Sequence, residues 1–440
     1  MSLPTDTLFS QQWHLNQSVG GLLDLGDLST IWDEYAGAGV EVVIVDAAIQ
    51  RTHQDLDANY STTKDWDFDN SDSDPSGVDG QNHGTAVAGI IGANRDGVGT
   101  VGVAYDSAIF GFQVNGFISD TFMQQIELSI DNASGVTQTS GVNREADIVN
   151  MSLGTMFASN YFDTFLTQSV MAAANQAIDE AAVVGRGGLG TIMVKSAGNS
   201  RLTNPSEGSG NQGHDANASS WNANIHTISV AAVDQDGDVS AYSTHGANIL
   251  ISGFGTPFAG EVVTTDRMGA EGYNPGGGNQ PADTNYTGSF NGTSAAAPMV
   301  SGVIALMLEA NDQLGWRDVQ EILAYSARHV GTAIGSGTSG SEEYAWAFNG
   351  ASNWNGGGLH FSNDYGFGLG DAFAAVRMAE MWTEANGANK TSANDTITFN
   401  DVLNASQTLT GSNIADTFTF TPSSNVEIEH VTVYINFVQW

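Results

Sequence analysis

The sequence predicts an α/β protein with a mainly parallel central sheet that is covered by helices on both faces. Short apolar runs recur along the chain, and longer stretches of helical character, of which Phe162–Val184 is the clearest, separate them. Runs that are apolar along their whole length are typical of strands buried on both faces, as in a parallel sheet. The first strand-like run ends at Asp46. The others are the segments Ile148–Ser152, Thr191–Ser196 and Thr227–Ala232.

Three polar residues lie at the ends of predicted strands or at the start of a predicted helix, where a fold of this class binds ligands. Asp46 ends the first apolar run, and His83 opens the segment His83–Gly89. Ser294 lies in Asn291–Pro298, at the start of a stretch that is apolar nearly all round and therefore predicts a buried central helix. Polar groups at the carboxyl ends of parallel strands share one edge of the sheet, so we expect the three to meet there.

The residue types, in the chain order Asp, His, Ser, predict a catalytic triad. A serine hydroxyl is a weak nucleophile unless an adjacent base accepts its proton, and His83 is the base. Asp46 fixes the tautomer of that imidazole. Asn199, which follows the strand-like run Ile192–Ser196, supplies an amide donor for the oxyanion beside the Ser294 backbone N–H.

The composition argues against several classes of function. The chain has 12 basic and 49 acidic residues and a net charge of −37, which argues against nucleic acid or an anionic membrane as a partner. It contains no cysteine, which excludes thiol chemistry and disulfides. No apolar stretch approaches the length of a membrane span, and Met1–Pro4 does not begin a signal peptide, so we expect a mature form.

A second unit is predicted at the carboxyl end. After Trp382 the composition shifts to Thr, Asn and Ser, and Asn425–Ile435 alternates as strands do. We expect a catalytic domain over residues 1–390 and the start of a β-sandwich over 391–440. A complete sandwich needs about 100 residues, so this one is expected to be truncated.

From Asp6 to about Trp382 the chain resembles the kexin/furin branch of the subtilases, on the motifs around Asp46, His83, Asn199 and Ser294 and on further segments. Those segments are Phe9–Leu15, Trp66–Asp69, Asp72–Pro75, Gly185–Gly190, Leu308–Asn311 and Trp316–Val319. The resemblance implies a subtilisin-like three-layer fold, a serine endopeptidase that acts through an acyl-enzyme, and a β-sandwich P domain after the catalytic domain.

The same resemblance implies structural calcium. Calcium binds carboxylate and carbonyl oxygens, and the residues that match the calcium site of these relatives supply both. These residues are Asp6, Asp55, Ala93, Asp96, Val98 and Thr100. A second calcium site of the relatives matches less well, since Thr244 stands where they carry a glutamate, although Asp215 is retained.

Substrate recognition is also implied by the resemblance. Two segments match the edges between which a subtilase holds an extended peptide, namely Phe112, Gln113 and Val114, and Ser152, Leu153 and Gly154. The acidic residues that select paired basic side chains are replaced, at Ala47, Phe117, Met123, Ser219, Ser220 and Trp221. We therefore expect cleavage that is not strictly dibasic.

The expected function is a secreted, monomeric peptidase that acts on proteins or peptides and folds with the help of a propeptide or a dedicated chaperone. A catalytically silent binding or adhesion module on the same fold is the alternative, because fold does not fix function. A lipase or esterase is disfavoured, since Ser294 lacks a Gly-x-Ser-x-Gly motif.

Overall fold

The protein is described here by a computed structural model. The residues that the structure describes are 3–16, 23–78, 80–114, 119–153, 166–201, 215–256, 262–348 and 359–383.

Seven parallel strands form the central sheet, in the order β2-β3-β1-β4-β5-β6-β7. These strands are β1 (Glu41–Asp46), β2 (Trp66–Asp67), β3 (Ala108–Gln113), β4 (Ile148–Met151), β5 (Ile192–Ser196), β6 (Thr227–Val233) and β7 (Ile249–Phe254). Two antiparallel pairs lie outside it: β8 (Val262–Thr265) with β9 (Tyr286–Phe290), and β10 (Ala347–Phe348) with β11 (His360–Phe361).

The described helices are α1 (Leu28–Ile31), α2 (His83–Gly92), α3 (Asp120–Ala133), α4 (Gln168–Val184), α5 (Thr293–Ala310), α6 (Trp316–Ser326) and α7 (Ala372–Met381). Short 3₁₀ turns occur at Phe9–Gln11, Trp13–Leu15, Thr139–Gly141, Gly185–Gly188 and Ala216–Ala218.

The side chains of β1 show why the sheet is covered on both faces. Val42 and Ile44 pack into one hydrophobic cluster with α2, α5, α6 and α7. Val43 and Val45 point the other way, into a second cluster with α3 and α4. An apolar strand without polar alternation therefore fills two cores, and the predicted α/β class with a parallel sheet is confirmed.

One predicted helix begins later than its sequence pattern indicates. The pattern starts at Phe162, whereas α4 starts at Gln168, and Thr167 before it is extended, with φ −65° and ψ 124°. The Thr167 N–H donates to the Asp120 carboxylate on α3 over 2.9 Å. This tertiary contact satisfies the backbone without a helical turn; residues 162–165 lie outside the described residues.

Helix α5 is long and apolar enough to cross a membrane by composition alone, but 83% of its 18 residues are buried inside the protein. In the part of the chain that the structure describes, no other helix passes that test.

The chain divides into two units, Met1–Thr391 and Ser392–Trp440. The second lies outside the described residues, so the predicted β-sandwich stays a prediction.

Candidate active site

The predicted nucleophile, Ser294, lies at the amino end of the central helix. Ser294 is the second residue of α5, and Gly292 before it has φ +86°, a conformation that only glycine adopts without strain. This turn directs the chain from β9 into α5. The first N–H groups of a helix have no partner within it, so the Ser294 N–H at this end is suited to bind a negative charge.

A reciprocal pair of hydrogen bonds ties Ser294 to the end of β4. Ser294 Oγ donates to the Ser152 carbonyl oxygen over 3.2 Å, and Ser152 Oγ donates to the Ser294 carbonyl oxygen over 3.0 Å. Pro298 lacks the N–H that would otherwise bond to the Ser294 carbonyl four residues earlier, so this acceptor is free for Ser152. Rotation about χ1 must redirect the Ser294 hydroxyl toward the base for attack.

The base and its partner are held where β1 meets α2. His83 Nδ1 lies 3.0 Å and 2.9 Å from the two carboxylate oxygens of Asp46, which is 1% exposed. The Ala47 N–H also donates to Asp46 Oδ1, over 2.7 Å. Gly84 permits this close packing, because a Cβ there would lie 2.3 Å from the Ala48 carbonyl oxygen. Asp46 therefore accepts the Nδ1 proton and leaves Nε2 as the basic atom.

The surroundings of His83 favour its protonated form. Burial lowers its pKa, whereas the negative charge of Asp46 and the hydrogen bond to it raise it, and the net pKa lies above the ordinary 6.5. Phe290, at the end of β9, contacts the imidazole with the ring centroids 5.3 Å apart. These contacts hold the ring and stabilise the imidazolium that proton transfer from Ser294 would create.

The amide of Asn199 is fixed beside the nucleophile. Its Oδ1 accepts hydrogen bonds from the Thr293 N–H and from Thr293 Oγ1, both over 2.9 Å. Thr293 Oγ1 in turn accepts the Gly198 N–H over 3.2 Å. With its oxygen occupied, the exposed Asn199 presents its Nδ2 donor at the edge that carries Ser294. Sequence reasoning predicted the amide donor but missed Thr293, which orients it.

We expect Asn199→Ala to lower kcat by about 10²–10³-fold, because one oxyanion donor contributes roughly 3–4 kcal/mol to transition-state stabilisation. KM should change little, whereas the melting temperature should fall modestly, because the buried Thr293 N–H loses its acceptor. Steady-state kinetics with a peptide substrate test this. A rise in KM with unchanged kcat would contradict the oxyanion role.

The predicted peptide-binding edges are placed only in part as expected. Ser152 and Leu153 follow β4 next to Ser294, and Gly154 lies outside the described residues. Phe112 and Gln113 are in β3, between β1 and β2, and the Val114 N–H donates to the Asp46 carbonyl oxygen over 2.9 Å. Phe112 and Gln113 have neighbouring strands on both sides, so within this segment a peptide could pair only from Val114 onward, and its role in peptide binding stays a prediction.

The residues predicted to bind calcium converge on one loop. Asp6 Oδ1 accepts the N–H groups of Asp96 and Gly97 over 3.0 Å and 2.8 Å. Asp55 Oδ2 accepts the N–H and hydroxyl of Thr100 over 2.9 Å and 2.8 Å. The other oxygen of each carboxylate, Asp6 Oδ2 and Asp55 Oδ1, is buried and has no hydrogen-bond partner within the described part of the chain.

Two buried carboxylate oxygens without hydrogen-bond partners destabilise the folded state unless a cation binds them. Burial and, to a smaller extent, the neighbouring charge of Asp96 raise the pKa of Asp6 and raise that of Asp55 to about 7. No group of three or more His, Cys, Asp or Glu side chains among the described residues is arranged to hold a metal. A site with carbonyls from residues 93–100 beside two carboxylates fits calcium, which accepts such mixed oxygen donors.

Comparison with known proteins decides the family: residues 37–368 match the Subtilase family. The chain belongs to the subtilase family. Its subtilase relatives include furin-1 of Xenopus laevis, 30% identical over 88% of this chain and 43% of that protein. Human proprotein convertase subtilisin/kexin type 7 is also 30% identical, over 86% of this chain and 42% of that protein. The chain thus spans less than half the length of these curated relatives.

Solved subtilase structures agree with the fold. The serine protease of Aeromonas sobria, in a complex with the chaperone ORF2, has a TM-score of 0.72 and 26% identity over 86% of this chain and 68% of that chain. A protease from Pseudoalteromonas arctica has a TM-score of 0.60 and 26% identity over 86% of this chain and all of that chain. The predicted subtilisin-like three-layer fold and the kexin/furin resemblance are confirmed.

Proposed function

We propose that this subtilase is an active serine endopeptidase that cleaves proteins or peptides through an acyl-enzyme. One observation carries the proposal: four groups with complementary roles are anchored at the carboxyl ends of the adjacent strands β1, β4 and β5. The Asp46–His83 pair follows β1, Asn199 follows β5 and bonds to Thr293, and Ser294 bonds to the end of β4. The convergence supports catalysis more than mere folding, because a buried carboxylate such as Asp46 and an exposed amide such as Asn199 add nothing to an apolar core.

The proposed chemistry follows from this arrangement. His83 Nε2 accepts the Ser294 Oγ proton as Oγ attacks the substrate carbonyl carbon, and Asp46 stabilises the resulting imidazolium. The Asn199 amide and the Ser294 N–H donate to the oxyanion. His83 then returns the proton to the leaving amine, and water hydrolyses the acyl-enzyme by the same steps.

Mass-spectrometric mapping of cleavages in a diverse peptide mixture tests the activity. We expect cleavage by the calcium-loaded chain and none by Ser294→Ala, at sites that do not require paired basic residues. The relaxed specificity is part of the proposal and is supported by the neutral Ala47, Met123 and Trp221. Absence of cleavage by folded, calcium-loaded protein would favour the silent binding module instead.

Calcium is proposed as a structural cofactor, held by Asp6, Asp55 and Asp96 with the carbonyls of Ala93, Val98 and Thr100. It would stabilise the loop that packs on Asp6 and take no part in the reaction. The bare oxygens Asp6 Oδ2 and Asp55 Oδ1 support this assignment. A ligand that binds only the folded state stabilises it by mass action, about 2.7 kcal/mol at a concentration 100-fold above Kd.

We expect a chelator to lower the melting temperature of the wild-type chain by roughly 3 °C, since about 1 °C accompanies each kcal/mol in a domain of this size. Asp55→Asn should abolish the calcium-dependent shift, and the exposed Asp57→Asn is the matched control that should retain it. Differential scanning calorimetry with and without calcium measures this. Equal calcium shifts in Asp55→Asn and wild type would refute the site.

Secretion, a monomeric state and assistance by a propeptide or chaperone belong to the same proposal. The protease of Aeromonas sobria in complex with a chaperone supports the last point. Refolding of the denatured chain alone in calcium tests it, and full recovery of peptidase activity would show that no helper is needed.

A further inference from the structure

Lys195 is a buried amine without an anionic partner. Its side chain is 1% exposed, and Nζ donates to the carbonyl oxygens of Leu153 and Ser196 over 2.8 Å and 3.2 Å. Burial lowers the pKa of Lys195 to about 7, and no carboxylate among the described residues offsets that effect. A buried cation with only neutral partners is destabilising, which is unusual for a position that could carry an apolar side chain.

Other groups form a polar floor around this amine. Nζ lies 4.2 Å from the ring centroid of Trp221, which stabilises positive charge on its face. Asn222 Nδ2 donates to the Ser196 carbonyl over 3.0 Å. The floor thus contains an amine and lacks a negative charge among the described residues.

The floor lies between the two segments that flank the reaction centre. Leu153 follows Ser152, whose carbonyl accepts the Ser294 hydroxyl. Ser196 begins the turn that carries Asn199. A substrate carbonyl held at Ser294 and Asn199 would bring the side chain of its own residue toward these segments, and the Lys195 amine bonds to one carbonyl of each.

We propose that Lys195 determines specificity by selecting a carboxylate side chain at the substrate residue immediately before the scissile bond. This inference rests on the proposed peptidase function. A substrate glutamate supplies the negative charge that the buried amine lacks. Lysine or arginine at this substrate position brings like charges together in a desolvated site and is excluded.

Peptides that differ only in that residue, Glu, Gln, Leu or Lys, test the proposal with the full chain in calcium. For the wild type we expect kcat/KM to be about 10-fold higher for Glu than for Leu and about 100-fold higher than for Lys. In Lys195→Met the Glu peptide should lose about 10-fold or more while the Leu peptide changes little. Lys64→Met, which removes a lysine paired with Glu41, is the matched control and should keep the wild-type order.

Several outcomes would overturn the inference. A wild-type preference for Leu or Lys over Glu does so without any variant, so the test survives if Lys195→Met fails to fold. An equal loss for all four peptides in a folded Lys195→Met would show a structural role only. Cleavage of the Leu peptide but not the Glu peptide refutes the inference alone, whereas no cleavage of any peptide refutes the proposed function as well.

Discussion

Ser294→Ala should lower kcat by about 10⁶-fold, the order of loss on removing the nucleophile of such a triad. The fold should be unchanged, because the Ser294 carbonyl still accepts the Ser152 hydroxyl, and only the bond from Oγ to the Ser152 carbonyl is lost. Initial rates on a chromogenic peptide measure the effect, and the melting temperature checks the fold.

Ser336→Ala is the matched control, since that hydroxyl is exposed and bonds only to the nearby Ala333 carbonyl. It should retain wild-type rates. Residual activity of the Ser294 variant above roughly 1% of wild type would mean that another group is the nucleophile.

Asp46→Asn should lower kcat by about 10⁴-fold, because the amide no longer holds the productive tautomer of His83 or stabilises its charged form. The same substitution should move the acid limb of the pH profile. His83 must be neutral to act as a base, so kcat/KM of the wild type falls as the pH drops through a pKa above 6.5. Without the Asp46 charge, burial dominates and that limb shifts to lower pH.

The pH profile of kcat/KM measures both effects, and the exposed Asp106→Asn should leave the profile unchanged. An acid limb at the same pH in wild type and Asp46→Asn would contradict the assigned Asp46–His83 pair. A loss of less than about tenfold would assign the orienting role to another residue.

Much of the fold was predictable because local pattern and tertiary environment agree. The apolar runs at β1, β4, β5 and β6 are buried on both faces, so their composition alone reports their place in the sheet. The start of α4 was not predictable, because Thr167 is held in an extended conformation by Asp120 on another helix. Nothing near Thr167 in the sequence signals that contact.

The peptide-binding edge shows the same limit within the site. Phe112–Val114 looks like the end of a strand, and nothing in its own residues shows that β1 and β2 both lie beside it. Likewise, Asn199 forms hydrogen bonds with Thr293, and Ser294 forms hydrogen bonds with Ser152. Their roles follow from hydrogen bonds between segments that are about 100 residues or more apart.

The sequence by itself determined the α/β class, and it supplied the proposed triad, amide donor and calcium-binding residue types, because each depends on residue identity within a short segment. Only the tertiary structure decided which oxygens of Asp6 and Asp55 lack hydrogen-bond partners and which side chain orients Asn199. It also decided that the Lys195 amine bonds to the carbonyls of Leu153 and Ser196. Burial and hydrogen-bond partners arise when distant segments pack together, so a lysine in an apolar strand becomes a specificity candidate only after Leu153, Ser196 and Trp221 surround it.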